Sequence, residues 1–206
     1  MKSQIFLSAS IPNRKPFDEN VEIKRIRDAV LALVTVCRDR DFSLTFGGHP
    51  AISPLVHHAA ESLGVIDSIC IYQSEFYRDK LPEAAWKFPN LRWTEAGTDD
   101  KTSQDTMRDE MINAKEWQYK AAVFIGGMEG IYEEARRFHA EYPGKVMIPL
   151  RSTGGASRWL REVMKEHFPK EDFAWHFPEL EEEATSMLRY RRLLDRIFAD
   201  YLPADE

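Results

Sequence analysis

Ala121-Ala122-Val123-Phe124-Ile125-Gly126-Gly127-Met128-Glu129-Gly130-Ile131-Tyr132-Glu133-Glu134 is the stretch that decides the fold. Residues 121–125 form a short apolar run, which predicts a buried strand. Gly126, Gly127 and Gly130 follow, and a helix-forming segment then opens. A strand that ends in glycines at a helix N-terminus makes an anion site. The glycines admit a ligand to the backbone, and the unpaired N–H groups of the first helical turn point at its phosphate. Glu133 and Glu134 lie in the first turns of that helix. Carboxylates there repel a phosphate but suit groups that donate hydrogen bonds, such as ribose hydroxyls. Taken alone, the same pattern also serves a plain turn and a helix dipole.

Working outward, strand and helix signals alternate. Residues 5–8, 44–46, 68–72, 91–94 and 146–149 read as further strands. Ile23, Ile26, Val30, Leu33, Val34 and Cys37 recur at helical spacing, and helices are also expected over 53–63, 102–117, 128–142 and 155–167. This order predicts right-handed βαβ units in a doubly wound, mainly parallel sheet of the Rossmann-like α/β class. Residues 168–178 form an aromatic-rich connection, and a last helix is expected over 179–201. The chain divides into a nucleotide-binding domain, 1–178, and a C-terminal helix region, 179–206. The apolar face of that helix predicts packing on the domain or a homodimer seam.

In an open parallel sheet, ligands bind outside the carboxyl ends of the strands. The turns expected at that edge carry Ser8 and Ser10, then Gly47, Gly48 and His49, then Gly126, Gly127, Met128 and Gly130, then Thr153 and Gly154. Four small, glycine- or hydroxyl-rich turns on one edge point to a phosphate or nucleotide. His49 is a ligand contact or a hydrogen-bonded turn residue. No Gly-Lys-Ser/Thr P-loop, no Gly-x-Gly-x-x-Gly fingerprint and no Gly-x-Ser-x-Gly elbow is present. His57 and His58 are adjacent and lack a paired Cys or carboxylate pattern, so no metal is expected, and no cofactor.

The bulk numbers are those of an ordinary globular protein: 206 residues, 43% hydrophobic, 30% charged, net charge −6. Nucleic-acid binding needs a basic footprint, which is missing. No apolar run approaches membrane-spanning length, and the opening Met1-Lys2-Ser3-Gln4 lacks the long apolar region expected of a signal peptide. Cys37 and Cys70 lie in apolar runs and read as reduced core thiols of a cytoplasmic protein.

These residues together resemble the SLOG superfamily, a Rossmann-like group that includes Lonely Guy-type phosphoribohydrolases and nucleotide-sensing domains. The resemblance covers most of residues 4–165. The run from Gly126 to Glu134 is similar to the Pro-Gly-Gly-x-Gly-Thr-x-x-Glu motif, with one extra residue between glycines and Ile131 in place of Thr. Met107-Arg108 is similar to the methionine-arginine pair on the preceding helix. Ser8-Ala9-Ser10 and Thr153-Gly154-Gly155 look more like the sensing branch. Its members occur in prokaryotic antiviral defence and bind signals derived from NAD or ADP-ribose.

The resemblance implies a small nucleotide-derived ligand, with Arg108 on a phosphate and Glu134 on ribose hydroxyls. One reading is a sensor that reports to an effector protein. The other is an N-ribosidic bond hydrolase of phosphoribohydrolase or NAD-glycohydrolase type, with Glu134 and Arg108 catalytic. A non-catalytic scaffold that inherited the fold is the third.

Overall fold

Alternate strand side chains feed two apolar clusters, one on either face of the sheet. In a parallel sheet covered on both faces, successive side chains point to opposite cores. On the first strand, Ile5 and Leu7 enter one apolar cluster and Phe6 the other. The same split divides Val123 and Ile125 from Ala122 and Phe124, and Val146 and Ile148 from Met147. The computed structural model describes residues 3–116, 118–170 and 184–202.

The elements are β1 (Ser3–Ser10), α1 (Ile23–Asp39), β2 (Ser43–Phe46), α2 (Ser53–Ser62), β3 (Ile69–Ser74), α3 (Glu83–Trp86), β4 (Asn90–Thr94), α4 (Asp100–Ile112), β5 (Gln118–Gly126), α5 (Glu129–Glu141), β6 (Val146–Leu150), α6 (Ala156–His167) and α7 (Met187–Tyr201). A 3-10 segment, Glu75–Lys80, follows β3 and another, Arg151–Thr153, follows β6. The six strands form one sheet in the order β4-β3-β2-β1-β5-β6, and every pairing is parallel. The chain leaves β1 toward β2 on one side and returns through β5 on the other. The crevice at the C-terminal ends of β1 and β5 is therefore the topological switch point.

α4 and α5 border that crevice, and both ends of α4 are firmly set. Asp99 and Thr102 form a reciprocal cap at the start of α4: Thr102 N–H donates to Asp99 Oδ1 at 2.7 Å and Asp99 N–H to Thr102 Oγ1 at 3.0 Å. At its other end, Tyr119 Oη donates to Met111 O at 2.8 Å and Tyr142 Oη to Ile112 O at 2.7 Å. These hydroxyls satisfy carbonyls that the helix itself leaves without partners. Arg137 on α5 clamps the two helices together through Asp105, at 2.7 Å, and Asp109.

α1 is apolar nearly all round over residues 29–37, where it lies between the sheet and α7. Tyr190, Leu193, Leu194, Ile197 and Phe198 of α7 are buried, and Phe198 meets Phe42 edge to face at 5.6 Å. Arg40 pairs with Asp195 at 2.9 Å and Arg191 with Asp39 at 3.0 Å. Most of the apolar face of α7 is thus buried within the chain, while Met187, Leu188 and Tyr201 stay exposed. The expected helix start also moves. Residues 184–186 are not helical, and 179–183 lie outside the described residues, as does most of the aromatic connection, 171–178.

Cys37 and Cys70 are free and buried, and burial raises both thiols, Cys70 to about 11. No helix is long and apolar enough to cross a membrane among the described residues.

Candidate functional site

A cleft of about 310 Å³ opens at the switch point. Ser8 and Ser10 come from the end of β1, and Gly47, Gly48 and His49 from the turn after β2. Arg108 reaches it from α4, and Gly130 and Glu134 from α5. The strand register explains the meeting. Leu7 pairs with Phe46 and Ser10 with Gly126, so these turns leave the sheet side by side.

Ser8 is the most telling group. Its side chain is buried, with the residue 1% exposed, and its Oγ has no hydrogen-bond partner. A buried hydroxyl without a partner costs about 1–3 kcal/mol. It stands on the wall of a cleft rather than in the core, where a bound group can satisfy it. Beside it, α5 starts at Met128 with no side-chain cap, so its first N–H groups carry the partial positive charge of a helix N-terminus.

Arg108 and Glu134 face each other across the gap between α4 and α5. Arg108 Nε donates to Glu134 Oε1 at 3.2 Å, and both side chains are largely buried. Gly130 makes room for this arrangement, since a Cβ there would sit 2.8 Å from Arg108 Nη2. His49 is held in its turn by Ala51, whose N–H donates to Nδ1 at 3.2 Å. That bond leaves the ring proton on Nε2. Burial lowers the pKa of the imidazole, which favours this neutral form.

The other glycine-turn residues lie elsewhere. Gly126 and Gly127 have φ of 62° and 79° and stand next to the cleft without lining it. Their N–H groups are already engaged: Gly126 donates to Thr153 Oγ1 at 2.8 Å and Gly127 to Ser10 O at 2.9 Å. Their carbonyls accept from Ser157 Oγ at 3.0 Å and Ala156 N–H at 2.8 Å. This pair therefore knits the loop after β5 to the loop after β6 and offers no N–H to a phosphate, contrary to the sequence expectation. Thr153 is fully buried, and its hydroxyl also donates to Leu150 O at 2.6 Å. Gly154 packs against Asn20, where a Cβ would lie 2.3 Å from the carbonyl oxygen. Met128 serves as the N-cap residue of α5.

Sequence reasoning passed over the far wall, built by the 3-10 segment after β3. Tyr77 and Lys80 line the cleft from there, with Leu81 just beyond and Gln104 on α4 opposite. The segment carries no glycine, so turn chemistry gave no signal for it. Among the described residues, no cluster of three or more His, Cys, Asp or Glu is placed to hold a metal ion.

The chain that carries this cleft matches the model of one known family. That model, described as the SLOG cluster3 family, covers residues 16–183. The chain belongs to this family. Among solved structures it is similar to the X-ray structure of TM1055, a structural-genomics target. The TM-score is 0.52 at 19% identity, over 96% of this chain and 100% of that one. That likeness bears on the SLOG chain's fold alone. No curated protein matches it.

Proposed function

We propose that the switch-point cleft binds a small nucleotide-derived ligand, of the ADP-ribose or nucleoside-monophosphate class. The observation that carries this reading is Ser8, a buried hydroxyl without a partner beside a helix N-terminus without a cap. An anion at the start of α5 meets backbone N–H groups and the helix dipole. Arg108 adds a fixed planar cation whose fork has donors left over after Nε engages Glu134. Glu134, oriented by Arg108, is an acceptor for ribose hydroxyls. The cleft offers acceptor and donor groups in adjacent places, as a sugar phosphate requires. In this reading the protein acts as a sensor, and occupancy of the cleft is read by an effector protein in a prokaryotic defence setting.

The test is to incubate the protein with NAD, ADP-ribose and nucleoside monophosphates and to follow retained ligand and released base by mass spectrometry. Retention of a phosphorylated nucleoside, lost in Ser8→Ala with Arg108→Ala, supports the reading. No retention of any of them removes it.

One observation favours a second reading, cleavage of an N-ribosidic bond. Glu134 stands in the cleft wall with its carboxylate held by Arg108, a place from which it can face a ribose. As the bond from C1′ to the base nitrogen breaks, positive charge develops on the sugar and the carboxylate stabilises it. Water then adds at C1′, and its proton leaves with the base. Glu134→Gln separates the two readings. In an enzyme it abolishes release of base while ligand still binds, because the lost interaction belongs to the transition state. In a sensor it only weakens binding.

A further inference from the structure

The cleft has two chemically different ends. At one end stand the free helix N-terminus of α5, Ser8 and the Arg108–Glu134 pair. The other end is the wall after β3. α4 runs between them, with Asp100, Gln104 and Arg108 four residues apart and therefore on one face. Asp100 and Arg108 are separated by about 12 Å along that helix, at 1.5 Å per residue.

Tyr77 occupies the second end. Its hydroxyl donates to Asp100 Oδ1 at 2.7 Å, and Gln104 Nε2 donates to Asp100 Oδ2 at 2.9 Å. Its ring meets Phe76 edge to face at 5.2 Å. Burial and the Asp100 acceptor raise its pKa to about 12, so the hydroxyl stays a donor. The ring is thus fixed before any ligand arrives, which lowers the ordering cost of binding. Phe46, the other benzenoid ring of the cleft wall, is 2% exposed and has no face to offer. Leu81 and Pro50 continue the apolar surface beside Tyr77. The cleft volume, about 310 Å³, lies at the small end of the ~300–1,000 Å³ range for ligand pockets. That is room for one nucleoside and its phosphate.

We infer that Tyr77 is the base-stacking residue of this cleft, and that the unit it receives is a single nucleoside monophosphate rather than a dinucleotide. The inference rests on the reading that the cleft takes a nucleotide. With phosphate and ribose held at the α5 end, the base is the part left for the Tyr77 end. A flat, sequence-tolerant π face suits any base.

The experiment is calorimetric titration of wild type, Tyr77→Phe and Tyr77→Ala with adenosine 5′-monophosphate, ribose 5-phosphate and ADP-ribose. Stacking on an aromatic ring is worth about ten- to hundredfold in affinity. Wild type is expected to bind adenosine 5′-monophosphate tighter than ribose 5-phosphate by that factor, and at least as tightly as ADP-ribose. Tyr77→Ala erases the difference by weakening only the nucleotide, while Tyr77→Phe keeps it. Should Tyr77→Ala unfold, Tyr77→Leu supplies apolar bulk without a π face and carries the same expectation. Equal loss for nucleotide and sugar phosphate, no loss for either, or a preference for ADP-ribose overturns the inference alone. Wild type that binds none of the three overturns the nucleotide reading with it.

Discussion

Arg108 Nε lies 3.2 Å from Glu134 Oε1, and the two side chains are 12% and 15% exposed at one cleft wall. The pair joins α4 to α5 where both helices border the switch point. A charge pair this enclosed is screened weakly by solvent, and removing one partner leaves the other buried without compensation. Cleft chemistry and helix packing are therefore coupled at these two residues.

Arg108→Ala is expected to weaken a phosphorylated nucleoside by about 1.5–3 kcal/mol, the range for a hydrogen bond to a charged group. The dephosphorylated nucleoside should lose less, only what the orientation of Glu134 by Arg108 contributes. Titration calorimetry on both ligands checks this. Equal losses would show that Arg108 serves only to hold Glu134.

Ser8→Ala should move stability and binding in opposite directions. Removing a buried hydroxyl that has no partner lifts a desolvation cost, so the variant should unfold at the same or a higher urea concentration. Ligand affinity should fall by about 1 kcal/mol, one hydrogen bond. A clear loss of stability would mean that Ser8 has a partner inside the fold.

Gly130→Ala tests the close approach of Arg108. Alanine favours a helix over glycine by about 0.5–1 kcal/mol, and the crowded atom is the far end of a flexible side chain. The fold should keep its melting temperature while affinity for the phosphorylated ligand drops, because the guanidinium must withdraw. Gly127→Ala is the contrast. There φ is +79° and the added Cβ would lie 2.0 Å from Ile131 Cδ1, so thermal unfolding should come markedly earlier.

His49 predicts a pH dependence of stability. Its folded pKa is lowered by burial, whereas in the unfolded chain it titrates near ~6.5. As pH falls below that value, the unfolded state takes up a proton that the folded state refuses, and stability declines. Protonation at Nδ1 would also break the bond from Ala51 N–H. His49→Gln should flatten the stability difference between pH 7.5 and 5.5 in urea unfolding. An unchanged slope would assign it to other groups.

The sheet was readable because its strands, glycines and helices alternate at the spacing that βαβ units require. That Arg108 and Glu134 share one site was not visible in periodicity and came from family likeness; their ion pair is seen only in the structure. Thr153 and the N–H groups of Gly126 and Gly127 look in sequence like ligand-binding groups. A small polar residue in a turn reads the same whether it faces a ligand or another loop, and here Gly126 N–H meets Thr153 Oγ1 while Gly127 N–H meets Ser10 O. Tyr77 was missed for the converse reason. Its segment has the composition of an ordinary solvated helix turn, and only the folding of α4 across it brings its ring to the cleft.

α5 begins at Met128 without a cap of its own. A first turn so made frays readily, and a capping group restores about 0.5–2 kcal/mol. In the proposed reading an anion seated there would complete the helix, and occupancy would be written into backbone order rather than into a displacement of domains. Glu129, in that turn, reaches Arg14 in the loop after β1 at 2.6 Å, and the ordering can pass outward along this surface link. Slowed amide exchange at Glu129 and Gly130, whose neighbour Ile131 already bonds Met128 O at 3.0 Å, is how such a protein would announce that its site is filled.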